Sequence, residues 1–569
     1  MQMTTAQYAF SLLLAAALMP AGASGSELQK VVVKGKQDPS TVVVKGVRDP
    51  SAWFRIESQH MIVYSDDDPD DVIELVNNLE RLDYLLRLYL KPFMDEQEAM
   101  PKPTLYFLKG RVSWPPEIGE EMPFAIGMAN SCVSATQVFI YSAGKSWKLQ
   151  NSSLLHAEDD YTLMHSLWLY SENFLRRHTR IRGPAWFMTG FVAYFGGVRF
   201  TDTQMAIGRD AGTSYNWLQA IDEGRAGGRL SFDDVLDFKP TSKPVAYQSA
   251  EYYERWEFMG RAFNLMHYML SSEENRGRMA KYLDAVNNGA DSGAAFAEIF
   301  GLAGRDLDAA MWRYRRMSLQ ILQVDVPTLP RADIDFTRLS RIEGEFVLDN
   351  AVLKTCPAPT QGGKLLARLT VAAATAPAVD FAQTALSRAQ VEWGDPRAAI
   401  GYLSRAVDND PYNPELHYLL GGAYAKLAEN AGAKKPDLLA LAQASLMQAS
   451  VLAPEAPETS YALFRVALMG TAPAEKDMGK AITAWRHGYD VPAYARMAAL
   501  AYAWLGDAAD SYQAFNTLVR DNGNPESAAW AASWLARLER GVPRDELLTA
   551  MRRENSAPPG FRAWMDGGR

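Results

Sequence analysis

Only seven histidines occur in the 569 residues, so metal or acid–base chemistry must draw on a short list. His165 stands in the run Tyr161-Thr162-Leu163-Met164-His165-Ser166-Leu167-Trp168-Leu169-Tyr170. A zinc hydrolase working from one helix needs two histidines at i and i+4, so that both rings lie on one face. It also needs an adjacent glutamate to take the proton from bound water, and a third ligand from elsewhere. Four residues after His165 comes Leu169, which has no lone pair to offer, and the residue after His165 is Ser166, which is no carboxylate base. A second ligand set could be drawn from His156, Glu158, Asp159, Asp160, His165 and His178, although His156 and His165 have no recognised ligand spacing. Glu158-Asp159-Asp160 reads more simply as a solvated helix start, where acidic side chains suit the helix dipole. No GxSxG elbow surrounds Ser166 or Thr189, and neither a P-loop nor a dinucleotide fingerprint is present.

The elements that would position these residues are legible. Ile56, Met61 and Val63 alternate as in a strand. Asp66-Asp67-Asp68-Pro69 then caps a helix from about Asp70 to Leu90, with Val72, Leu75, Val76, Leu79, Leu82, Leu85 and Leu86 at helical spacing. Thr104–Leu108 and Gln137–Tyr141 read as strands, and Tyr253–Leu270 and Gly277–Asn287 as helices. A further helical stretch around Ala294–Gly301 precedes one carrying Trp312, Tyr314 and Met317.

The stretch from Tyr161 to Phe200, with Gly183-Pro184-Ala185-Trp186-Phe187-Met188-Thr189-Gly190-Phe191-Val192-Ala193-Tyr194-Phe195, resembles the paired helices of gluzincin-like (peptidase MA-type) metallopeptidases. In that register His165 matches the first histidine of the HExxH motif, Ser166 the catalytic glutamate, Leu169 the second histidine and Thr189 the third-ligand glutamate. Pro184, Trp186, Gly190, Ala193, Tyr194 and Phe195 match the flanking pattern. The β-α-β-β order ahead of this helix pair resembles the same domain, and the likeness spans about residues 52–322. It implies an α+β peptidase fold without its chemistry: no catalytic residue, no metal and no cofactor. Trp168, Trp186 and Phe187 are candidate contacts in the emptied cleft.

From about Leu365 the chain becomes alanine-rich and helical, with internal similarity. One copy runs from Arg388 through Trp393-Gly394-Asp395 to Asn413-Pro414-Glu415, and another from Ala501 through Trp504-Leu505-Gly506-Asp507 to Asn524-Pro525-Glu526. A third, around Gly421-Gly422-Ala423-Tyr424, Ala444, Ala449 and Pro454, carries the insert Ala431–Lys435. These copies resemble tetratricopeptide repeats, in which small residues let paired helices approach and the pairs stack into a solenoid. The resemblance implies an all-α array whose concave face grips a peptide or protein partner.

The organisation expected is therefore a signal peptide over 1–23, a linker over 24–51, the pseudopeptidase domain over 52–325, a linker over 326–364 and the helical repeats over 365–569. An apolar core from Ala9 to Met19, followed by Pro20 and Ala21-Gly22-Ala23, carries the signal reading. It points to an exported protein, periplasmic or extracellular. The linker holds a tandem repeat, Val31-Val32-Val33-Lys34-Gly35 and Val42-Val43-Val44-Lys45-Gly46, read as a tether or as a strand donated to a partner. Export permits a disulfide between the two cysteines, Cys132 and Cys356, and two separate thiols are the other outcome. A net charge of −9 with no basic tract excludes an electrostatic case for nucleic acid, and no apolar run after the signal is long enough to span a bilayer. The function expected is non-catalytic binding of a polypeptide. The alternatives are a metal-dependent hydrolase with non-standard ligands and a cell-envelope adaptor attached through the N-terminal repeat.

Overall fold

The computed structural model describes residues 30–33, 42–45, 49–94, 100–110, 127–142, 161–209, 218–221, 223, 227–239, 249–317, 321–326, 329–521 and 524–556. The expected signal segment and residues His156 to Asp160 lie outside them. An eight-stranded sheet is the frame of the first half, in the order β1-β2-β11-β3-β4-β5-β7-β6. Its strands are β1 (Lys30–Val33), β2 (Val42–Lys45), β3 (Pro50–Glu57), β4 (Ile62–Ser65), β5 (Thr104–Leu108), β6 (Gly127–Cys132), β7 (Ala135–Tyr141) and β11 (Asp335–Ser340). β4, β5 and β7 run parallel, while β3 and β6 pair antiparallel with the strands beside them.

The parallel centre is apolar on both faces because both faces are covered. Leu105, Phe107, Val138 and Ile140 point to one side, into a core with α1 (Pro69–Leu90) and α2 (Tyr161–His178). Tyr106, Leu108 and Phe139 point to the other, where Tyr64, Tyr106 and Phe139 stack in a row at 5.5 and 4.9 Å. Asp68 caps α1 by accepting hydrogen bonds from the Asp70 and Asp71 amides, as the sequence pattern predicts. α3 (Ala185–Gly196) follows α2, and α5 (Ala250–Leu270) packs across α3. Between them comes a short α4 (Phe232–Leu236), and after them α6 (Glu273–Asn287), α7 (Ser292–Phe300) and α8 (Gly304–Arg316). A small sheet of β8 (Arg199–Phe200), β9 (Gln204–Ile207) and β10 (Leu322–Asp325) pairs in the order β10-β9-β8.

Two segments expected as linkers are part of this frame. β1 and β2 form a hairpin, and β2 runs parallel to β11 at the edge of the sheet. Residues 326–364 hold β11, which pairs with β3, and α9 (Arg341–Leu353), which packs over it. The boundary placed at 364/365 falls inside α10 (Pro359–Ala374). α9, α10 and α11 (Asp380–Trp393) cover the second face of the sheet through Phe346, Val347, Leu365, Leu369 and Ala382. The alanine-rich composition that begins near Leu365 does not mark a boundary here, because the same apolar residues serve sheet and array.

Helices then follow in pairs: α12 (Pro396–Asn409), α13 (Pro414–Ala428), α14 (Lys435–Leu452), α15 (Pro457–Met469), α16 (Glu475–Arg486), α17 (Pro492–Leu505), α18 (Ala508–Val519), α19 (Pro525–Leu538) and α20 (Arg544–Ser556). From α11 to α19 each packs against the next. Proline opens α12, α13, α15, α17 and α19, where its missing N–H costs nothing. The insert Ala431–Lys435 forms a single 3-10 turn before α14. Among the described residues no helix is long and apolar enough to cross a membrane.

The array is tied to the sheet by charge as well as by apolar contact. Glu415 at the start of α13 accepts a 2.6 Å hydrogen bond from buried Arg388 and lies 3.3 Å from Lys354. Lys354 first and Arg388 next hold its carboxyl down at about 2, against the opposing effect of burial. Because the folded value lies below the unfolded one, this stabilisation is complete above about pH 4.5 and disappears as the pH falls toward 2. Glu415→Gln is expected to lower stability by about 1 kcal/mol at pH 7, a partly exposed pair being worth no more. In urea melts the gap from the wild type should close below pH 3. A gap that persists there would rule out the charge interaction as its source.

Candidate functional site

α2 and α3 form the pair that the sequence singles out. α2 buries Leu163, Leu167, Tyr170, Phe174 and Leu175 at helical spacing. Its last turn carries Arg176 and Arg177, cations suited to the negative end of the helix, followed by His178. α3 begins after a cis Gly183–Pro184 bond and is buried on nearly every side. Its glycines are packing devices. A Cβ on Gly190 would lie 2.4 Å from the carbonyl oxygen of Ala262 in α5, and one on Gly196 would overlap the Trp168 indole.

His165 is half-buried, with its ring centre 5.4 Å from that of Trp168. Ser166 is fully buried and donates a 2.7 Å hydrogen bond to the Thr162 carbonyl one turn back. Leu169 is half-buried against Gly127 of the edge strand β6, whose missing Cβ leaves room for it. Thr189 is half-buried on α3. Of the four motif positions only His165 carries a nitrogen that could ligate, and the Ser166 hydroxyl is committed within its own helix. His178 does not join His165. Thirteen residues separate them along α2, about 20 Å of helix, which removes that pairing from the alternative ligand set. Among the described residues no group of three or more His, Cys, Asp or Glu could hold a metal ion.

Two of the three candidate cleft contacts are core residues. Trp186 is fully buried, donates from Nε1 to the Tyr282 hydroxyl at 3.0 Å and meets Phe296 edge-on. Phe187 is 1% exposed. Neither presents surface to a ligand, since a large aromatic ring at helical spacing fills the core when helices pack on both sides of it. Trp168 is half-buried and keeps some surface. His267 is a core histidine, buried with Nδ1 2.7 Å from the Tyr314 hydroxyl.

The sequence gives no sign of the contacts between the two halves. The β6–β7 hairpin is held by the array: Asp490 accepts from Ser131 and Thr136, each at 2.6 Å, and the Tyr494 hydroxyl donates to the Val133 carbonyl at 2.8 Å. Cys132 at the end of β6 is disulfide-bonded to Cys356, just beyond α9, with Cα atoms 6.0 Å apart. Arg182 is buried without a carboxylate partner among the described residues and donates to the carbonyls of Arg176, Thr179, Ile181 and Tyr489, the last of these in the array. Burial lowers its pKa to about 10, so it stays charged at neutral pH. The terminal helix α20 lies against α15 and α17, through Arg465 with Asn555 and Arg496 with Glu554. Arg388 and Glu415, Tyr494, and the α15 and α17 arginines all belong to the first helices of successive pairs. The side of the array expected to grip a partner is thus taken up, in these places, by the hairpin and by α20.

Among the second helices, α18 meets the first half, Asn516 donating to the Asn287 carbonyl, whereas α14 has an exposed side. On α14, Leu441, Met447 and Val451 are 47%, 45% and 70% exposed, and with Ala444 they lie along one side of the helix.

No protein-family model matches the chain, and no curated protein does. Solved structures that match it include a thermophilic TPR protein of Thermus thermophilus, at 20% identity over 34% of this chain and 96% of that one. Its TM-score is 0.26, too low for the likeness to bear on fold or function, so the repeat character of the second half rests on its own paired helices.

Proposed function

We propose that the protein is an exported, non-catalytic binding protein that docks a polypeptide through the outer side of its helical array. The first half, in this reading, is a gluzincin-like domain without zinc chemistry, retained as a rigid body. The order β4-α1-β5-β6-β7 ahead of α2, with β6 as an antiparallel edge strand beside it, and the packed α2–α3 pair support that assignment. Export to an oxidising compartment is supported by the Cys132–Cys356 bond, which reducing compartments disfavour.

The observation that carries the binding role is the stripe Leu441, Ala444, Met447 and Val451 on α14. Contiguous apolar surface on the outside of a folded chain marks a contact site. The side of the array turned to the first half is filled by the chain itself, which leaves the outer helices to a partner.

A photo-crosslinking residue at Met447 is expected to give one discrete product in cells that export the chain. The same residue at exposed Arg405 on α12 should give none, and Leu441→Asp should abolish the Met447 product. Absence of any product from Met447, or equal labelling from both positions, would sink the reading.

A further inference from the structure

A cavity of about 360 Å³ lies at the seam of the two halves, far along α2 from the motif residues. α1 and α2 line one part of it, Gln59 and His60 with Met100–Pro103 close one side, and Arg486 and Tyr489 of the array close another. Three charged side chains of α1 meet there at one-turn spacing. Glu80 and Asp83 are buried carboxylates, and Arg87 bonds to Asp83 through Nε at 2.5 Å. Glu80 accepts from the Ser58 hydroxyl at 2.6 Å, the His60 amide at 3.0 Å and His60 Nδ1 at 2.6 Å. Tyr170 donates to Asp83 at 2.8 Å. His60 therefore spends its Nδ1 proton on Glu80 and has Nε2, on the far edge of the ring, left for the cavity that it lines. The hydrogen bond to Glu80 raises the pKa of His60 in spite of its burial, which favours the imidazolium.

Arg177 lines the same cavity from α2 and is 3% exposed. Its guanidinium donates to the Pro101 carbonyl, its Nε has no partner, and no carboxylate pairs with it among the described residues. The neighbouring His178 is held well below its usual pKa, first by burial and then by Arg177 and Arg87, so it stays neutral and supplies no counter-charge. Of the other cations lining the cavity, Lys102 is committed to Glu57, Arg87 to Asp83, and Arg486 bonds to the Tyr502 hydroxyl. A buried cation without an opposite charge is costly, and a protein that keeps one in a cavity gains when an anion enters.

We propose that this cavity binds a small organic carboxylate, with Arg177 as its counter-charge and the His60 Nε2–H as a second donor. Asn173 adds a buried amide, and Phe174, Met94 and Met100 give the apolar surface that receives the carbon body. One guanidinium with no carboxylate partner among the described residues matches one negative charge, and the mixed lining suits a carboxylate on an apolar body better than a fully hydrated inorganic anion. Because residues of both halves line the cavity, the ligand would sit on their contact and steady it.

The test is calorimetric titration of the full, oxidised chain at pH 6 with benzoate and, in parallel, with inorganic phosphate. Benzoate is expected to bind at one site with a Kd below about 1 mM, and to raise the melting midpoint by a few degrees at saturation. Arg177→Met should weaken binding at least tenfold, as loss of a charge-assisted pair does. His60→Gln, at a half-exposed position whose amide can still reach Glu80, should weaken it about threefold, which keeps the test decisive if the arginine variant does not fold. Phosphate binding as tightly as benzoate would overturn the assignment of ligand class. No saturable response to benzoate, or an affinity unchanged in both variants, would overturn the site.

Discussion

Gly190→Ala is expected to destabilise the protein by about 3 kcal/mol, the upper part of the range for overpacking a tight contact. The usual effect of glycine to alanine inside a helix has the opposite sign, about 0.5–1 kcal/mol of gain. The reversal comes from what faces the new methyl group. A Cβ at Gly190 would lie 2.4 Å from the Ala262 carbonyl oxygen and 3.0 Å from its carbon. Those are backbone atoms of α5, which cannot rotate aside, so α3 and α5 must separate along a contact that also includes Tyr194 and Phe263. Gly401 on α12 is the internal control: it is exposed and its Cβ would meet nothing within 4 Å. Gly401→Ala should be neutral or stabilising. Urea melts of the two variants decide the matter, since equal losses would mean that helix propensity, and not the close approach of α3 to α5, governs position 190.

Breaking the Cys132–Cys356 bond is expected to cost at most about 5 kcal/mol on the chain-entropy account, because the bond closes a loop of 224 residues. Its place in the fold adds a consequence that loop length does not. Cys132 ends β6, the edge strand whose hairpin the array holds through Asp490 and Tyr494, and Cys356 follows α9, which covers the back of the sheet. The bond therefore joins the free edge of the sheet to the start of the array. Reduction, or Cys356→Ser, should lower the urea midpoint and speed proteolysis at the hairpin and at α9 and α10 before the α1–α2 core gives way. An unchanged midpoint after reduction would mean that the two thiols are not bonded in the protein, and export would lose its main structural support.

The elements of the first half were legible wherever one residue pattern dictated one structure. The alternation at Ile56, Met61 and Val63, the capped run from Asp70 to Leu90 and the apolar run Thr104–Leu108 appear as β3, β4, α1 and β5. β6 was not legible, because Gly127-Met128-Ala129-Asn130-Ser131-Cys132 has little strand propensity and is held by pairing with β7. The valine repeats and β11 read as linkers in the sequence for a related reason. A short strand at a sheet edge takes its stability from the strand beside it, and sequence does not show which strand that is.

The α2–α3 pair shows where the limit falls for the candidate site. The residue types at His165, Ser166, Leu169 and Thr189 determined that the usual zinc chemistry is missing in that register, because a leucine cannot ligate and a serine is not a carboxylate base. Whether Trp186 and Phe187 lined a cleft or filled the core depended on what packs against α3, and α5, α6 and α7 supply that packing from 70 or more residues away. The cavity between α1, α2 and the array was beyond sequence for the same reason. His60, Glu80, Arg177 and Tyr489 carry no common motif, and they meet because helices from both halves of the chain converge on one seam. Local chemistry is written in residue types and spacing. Burial, and the partner each charge finds, come from long-range packing that only the folded chain decides.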